Sequence, residues 1–124
     1  MQINNVLASL PVKDLAVARV WYQKLFQRTP DFTPMPTAAE WQFAGGGSLQ
    51  IYVGPERAGG GSCTFTISNI EKTVDDLKQL GIDPGKLIDG GKAKVAMVKD
   101  PDGNSIAFAQ AMEAGLSRQA WDRS

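Results

Sequence analysis

Few side chains in this chain could do covalent chemistry. It has no histidine and one cysteine, so no imidazole base or thiolate pair is available for proton transfer or metal binding. Asp100 and Asp102 sit in Asp-Pro-Asp-Gly-Asn, where short carboxylates cap a turn. Glu40 is the one acid worth testing as a base, and Tyr52, with an ordinary pKa of about 10, would need an activating neighbour the sequence does not name. No catalytic residue is assigned. Hydrogen-bonding groups in strand-like stretches are better represented. Period-two alternation groups Gln50 with Tyr52 against Leu49, Ile51 and Val53. It also sets Ser62, Thr64 and Thr66 against Phe65 and Ile67, and Ser105, Ala107 and Ala109 against Ile106 and Phe108. If each apolar set meets a helix, the faces left over carry hydroxyls, an amide and small groups. Such a surface suits a neutral or weakly polar organic molecule. Trp41 and Phe43 share one strand face and read equally as ring contacts for a ligand or as edge-strand core. Gln50 and Tyr52 could instead bond to each other or to water inside a filled interior.

The elements that position these groups come in two sets. Residues 95–98 and 105–109 are apolar runs joined by Pro101-Asp102-Gly103-Asn104, a strand–turn–strand pattern. Residues 46–53 echo 103–110 at an offset of 57, and candidate helices at 14–26 and 69–80 start 55 apart. Two units of strand, helix and several strands are expected, against a single α+β sandwich with two similar hairpins. In order, residues 3–10 predict a strand closed by Pro11. Asp14 caps a helix whose stripe is Leu15, Ala18, Tyr22 and Leu25, widened by Trp21 and Phe26. Phe32 joins a strand, the prolines at 30, 34 and 36 predict a loop over 33–39, and 40–44 and 48–53 predict strands around Gly45-Gly46-Gly47. Residues 54–61 link the halves. A strand over 62–68 precedes a helix capped by Asn69, lined by Ile70, Val74, Leu77 and Leu80 and stopped at Gly81. Leu87 and Ile88 pair briefly before the last hairpin. The tail, 113–124, holds Trp121, which could lie on a neighbouring surface.

Composition narrows the class. A chain of 124 residues, 43% hydrophobic and 21% charged, predicts one soluble globular domain. Lys plus Arg and Asp plus Glu are 13 each, so no basic excess attracts a phosphate backbone, and nucleic acid is a poor partner. Cys63, beside Thr64-Phe65, reads as a small buried hydrophobe. No signal-peptide pattern or membrane-length apolar run is found, so no membrane and a cytoplasmic place are expected. Neither glycine triplet opens a helix with a following Lys-Ser/Thr, so a phosphate loop is set aside.

Residues 10–26, Leu-Pro-Val-Lys-Asp-Leu-Ala-Val-Ala-Arg-Val-Trp-Tyr-Gln-Lys-Leu-Phe, resemble the opening of the vicinal oxygen chelate superfamily. That superfamily includes glyoxalase I, bleomycin-resistance proteins and extradiol dioxygenases. Asp100-Pro-Asp-Gly-Asn104 resembles its closing hairpin, and the likeness spans most of residues 3–110. Gln27 departs from the family, which usually has glycine there. The resemblance implies an α+β fold of two βαβββ modules, about 1–57 and 58–112, forming a curved mixed sheet around a cavity. It also implies where the family's metal ligands would fall: near Leu7, on Gln50, on or beside Ser62, and on Ala107. Leucine and alanine are no donors, and serine and glutamine are weak neutral ones. The reading is therefore metal-independent and cofactor-free binding of a small, aromatic organic molecule, similar to the sequestration of the bleomycin-resistance branch, by a homodimer. The ligand contacts are expected at Trp41, Phe43, Gln50, Tyr52, Ser62, Thr64 and Ala107. A lyase or dioxygenase of the same superfamily, or a non-catalytic structural or regulatory dimer, are the competing readings.

Overall fold

The computed structural model describes residues 1–112; Trp121 lies outside the described residues. The first module begins with β1 (Ala8–Val12) and α1 (Leu15–Phe26). Asp14 caps α1 by accepting the Val17 N–H at 3.2 Å, which satisfies one orphan donor of the first turn. The helix ends at Gln27, whose φ of 57° is left-handed. The reversal that glycine usually makes is thus made here by glutamine, whose side-chain amide donates to the Lys24 carbonyl at 2.7 Å. β2 (Phe32–Met35), β3 (Ala38–Gln42) and β4 (Ser48–Val53) complete the module.

The second module repeats that order: β5 (Ser62–Thr66), α2 (Ile70–Gln79), β6 (Ile88–Asp89), β7 (Ala93–Lys99) and β8 (Ser105–Ala111). Asn69 caps α2 through the Lys72 N–H, and Gly81 follows it with φ 75°. Sheet one runs β1-β4-β3-β2 and sheet two β5-β8-β7-β6. In each, the strand before the helix pairs parallel with the last strand, and the other neighbours are antiparallel. The expected pair of βαβββ modules is present. The sheet around the cavity is two four-stranded mixed sheets rather than one strongly curled one.

Local differences from the sequence expectation have backbone causes. β1 starts at Ala8, not residue 3, and runs through Pro11; it is an outer strand of its sheet, where a missing N–H leaves no broken ladder on the free side. Residues 1–7 carry no strand pairing and are exposed. The proline-rich stretch is a hairpin rather than a loop, because Pro34 lies on the other outer strand, β2, whose register shifts there.

One core serves both modules. Leu10, Val12, Leu49, Ile51 and Trp41 of sheet one join Ala18 and Tyr22 of α1, Ile70 and Leu77 of α2, and Val98 and Ile106 of sheet two. Each such large side chain, fully buried, contributes about 1.5–3 kcal/mol. A chain of rings crosses the seam. Phe26 meets Trp41, Phe43 and Phe65, and Phe65 meets Phe108, with centroids 5.3–5.6 Å apart.

A buried polar cluster locks the same seam. The Asp100 carboxylate accepts from the Tyr22 hydroxyl at 2.7 Å, the Asn104 side-chain amide at 2.8 Å, and the backbone N–H groups of Asp102 and Asn104 at 2.9 and 2.8 Å. Asn104 also donates to the Pro11 carbonyl and accepts the Gly61 N–H. The Asp-Pro-Asp-Gly-Asn turn is therefore the bolt between module two and β1. Burial first, then the bond to Asp100, pushes the Tyr22 hydroxyl pKa well above its ordinary value. Gly59 is required beside it: at φ +90° a Cβ there would collide with the Asp102 carbonyl.

Candidate functional site

The faces that the helices do not cover carry the polar side chains, as alternation predicts. On sheet one, registered pairs place Ser9 beside Gln50 on β4, with Glu40 on its other side and Tyr52 next to Ala38. Gln50 and Tyr52 are half-buried on this open face, whereas Leu49 and Ile51 are fully buried beneath it. On sheet two, Thr64 pairs with Ala107 and Ser62 with Ser105; Ser62 and Thr64 are exposed and Ala107 half-buried. The seven expected contact residues thus divide. Gln50 and Tyr52 share one open face, and Ser62, Thr64 and Ala107 share the other.

Trp41 does not belong with them. It is 0% exposed, on the helix side with its partner Leu49, stacked against Tyr22 and Phe26, and its indole N–H donates to the Arg28 carbonyl at 3.1 Å. Its place is core, for the same parity that puts Glu40 on the open face. Phe43 follows Trp41's parity, but lies past the end of β3, where it is half-buried between Phe26 and Phe65 and under the Arg28 guanidinium.

Residues from the N-terminal end of β1, from β4 and from β5 line a cleft of about 690 Å³. Phe26, Phe43, Phe65 and Phe108 form its apolar wall, and Thr64, Thr66 and Ser48 bring hydroxyls to its rim. That volume and lining match a drug-sized aromatic ligand. Cys63 also lines it, its thiol pushed up to about 11 mainly by burial, so it presents a neutral, polarisable group rather than a thiolate. Phe26, Phe65, Phe108 and Cys63 were read from sequence as plain core. Alternation assigns Cys63, Phe65 and Phe108 to the helix side, Phe26 lies on α1, and nothing local to any of them announces a cleft.

The edge of sheet one is fixed by charge. Arg28 forms an ion pair with Asp31 at 2.5 Å and donates to the Gln42 carbonyl. Arg28, and then the Gln42 N–H, hold the Asp31 carboxyl below its usual range. Glu40, by contrast, is 8% exposed and receives one hydrogen bond among the described residues, from the Gln42 side-chain amide at 3.1 Å.

This geometry matches known structures closely. A glyoxalase/bleomycin resistance protein from Catenulispora acidiphila DSM 44928 is 30% identical, with a TM-score of 0.78 over 86% of this chain and 97% of that one. The chain belongs to the glyoxalase/bleomycin resistance family. An antibiotic-binding protein from Streptomyces sp. CB03234 shares the fold at 21% identity and TM-score 0.75, over 90% of this chain and 98% of that one. A bleomycin-binding protein complexed with bleomycin shares it at 19% identity and TM-score 0.69, over 87% and 98%. No family model matches the sequence, and no curated protein matches it.

The metal that resemblance to this superfamily's enzymes implies does not fit these residues. The positions where the resemblance puts its ligands fall at or near Leu7, on Gln50, on or beside Ser62 and on Ala107, and the whole chain lacks histidine. Among the described residues, no three of Cys, Asp and Glu come together. A divalent transition ion needs several imidazole, carboxylate or thiolate donors. No chemistry is routed through a metal here. Among the described residues, no helix is long and apolar enough to cross a membrane.

Proposed function

We propose that the protein binds a small, flat aromatic molecule without a metal ion, holding it rather than changing it. The observation that carries this is the Phe-walled cleft, whose lining residue Ser48 stands two residues before Gln50 on the hydroxyl- and amide-bearing open face of sheet one. Ring faces supply contact area, and Thr64, Ser48, Gln50 and Tyr52 supply orientation. Ser62 and Ala107 extend the surface on sheet two. Two proteins of this fold are a bleomycin-binding and an antibiotic-binding protein, so sequestration is a use the fold supports. Formal net charge zero suits a ligand less cationic than bleomycin.

The reading includes a homodimer. Ile3, Val6 and Leu7 in the N-terminal arm, and Phe32, Met35 and Met97 on the open faces, are large apolar side chains left exposed. A second copy would cover them and close the open faces over a ligand. A cytoplasmic setting and the absence of a nucleic-acid partner rest on composition. Isothermal titration of chelator-treated protein against flat aromatic natural products tests the binding claim. Saturable binding that weakens severalfold in Phe65→Ala is the expected result, and uniform lack of binding would contradict it.

A further inference from the structure

The open face of sheet one contains an acid whose surroundings leave it incomplete. Glu40 lies mid-strand on β3, flanked by Phe32 of β2 and Gln50 of β4. It is more than nine-tenths buried, yet its one hydrogen-bond partner among the described residues is the neutral amide of Gln42. A carboxylate has about four acceptor sites, and one taken from water without donors to replace it is costly. Arg28, the cation bonded to this edge of the sheet, is engaged by Asp31. Among the described residues, the other charged side chain at an open-face register position, Lys99, lies on sheet two and donates to the Ser105 hydroxyl. No cation on sheet one, among the described residues, forms an ion pair with Glu40.

Its position relative to the cleft is set by register. Ser48, at the cleft rim, is two residues before Gln50 on β4, and Gln50 is Glu40's cross-strand partner. Two strand residues span roughly 7 Å, so a ring system seated in the cleft could extend a substituent along β4 to Glu40. We infer that Glu40 is the anchor for a protonated amine, or another cationic N–H donor, carried by the ligand. This rests on the binding reading above and adds the ligand's charge. The substituent would place an N–H on the free lone pairs of Glu40 while Gln42 holds the carboxylate from the other side, and Tyr52 and Phe32 would flank the aliphatic part. Its shielding from bulk water would strengthen that charge-assisted bond.

Two fluorescent probes of similar shape separate the ideas: 9-aminoacridine, a cation at neutral pH, and acridone, which is neutral. The expected result is preference for 9-aminoacridine by about tenfold, as one charge-assisted hydrogen bond would give. Glu40→Gln should bring the two probes to within about twofold of each other. Glu40→Asp should keep part of the preference, and in wild type the preference should shrink with added salt. Acridone binding with no preference for the amine in wild type would overturn the anchor and leave the binding reading standing. Binding of neither probe would remove both.

Discussion

Two buried carboxylates, Asp100 and Glu40, sit in this chain at nearly equal exposure, 5% and 8%, and differ in everything else. Asp100 receives four hydrogen bonds from three residues, one of them from Tyr22 across the seam of the two modules and three from its own turn. Glu40 receives one, from a neighbour on its own strand. Burial alone therefore says little about a charged group's role; the donor count separates them. A filled carboxylate fixes the fold, and one left with open lone pairs on an uncovered face is available to something else.

That contrast can be broken by paired substitutions. Asp100→Ala leaves the Tyr22 hydroxyl, the Asn104 backbone N–H and the Asp102 N–H without their acceptor, and should cost about 3–5 kcal/mol in denaturant unfolding. Glu40→Gln should change stability by about 1 kcal/mol or less, since one neutral hydrogen bond is at stake and a poorly solvated charge is removed. Equal losses would erase the distinction.

Titration sharpens it. Folded Tyr22 and Cys63 both hold their protons above the ordinary range. Raised folded pKa values give stability that is fully present below the unfolded values, about 9 for the thiol and 10 for the phenol, and is lost as pH rises through the folded ones. Thermal stability should fall from about pH 9 upward, by on the order of 2 kcal/mol near pH 11 once the partial exposure of Cys63 is discounted. Tyr22→Phe combined with Cys63→Ala should flatten that slope, whatever its effect at neutral pH. An unchanged slope in the double variant would place the alkaline sensitivity elsewhere.

The smallest effect concerns the left-handed Gln27. Gln27→Gly relieves a conformation that costs an L residue roughly 1 kcal/mol, offset by glycine's greater freedom when unfolded and by loss of the bond to Lys24. A net gain of about 0.5 kcal/mol in denaturant midpoint is expected, and a loss would mean that the side-chain bond outweighs the backbone strain.

What the sequence could show follows the range of the forces involved. Helix caps at Asp14 and Asn69, the stop at Gly81 and the parity of β4, β5 and β8 are local, and all were legible. The extent of β1 was not, because pairing to β4 about 40 residues away, and not the apolar run at 3–10, decides where it begins. The proline-rich hairpin was missed because Pro34 is tolerated only by virtue of being on an outer strand, a property of topology. Between the two uses open to Trp41, ligand contact or core, its pairing with Leu49 decides for core, and that pairing is a long-range property. The cleft is bounded by residues of β1, β4, β5 and β8 together, and Glu40's shortage of donors is visible only when its described neighbours have been placed.

The central claim is that the binding surface works with organic contacts alone. Calorimetric titration of one aromatic ligand into the protein, before and after exhaustive chelation and with zinc or nickel restored, tests it most directly. One saturable event with the same affinity in all three preparations is expected, weakened severalfold by Phe65→Ala. Binding that disappears on chelation and returns with a stoichiometric metal would contradict it.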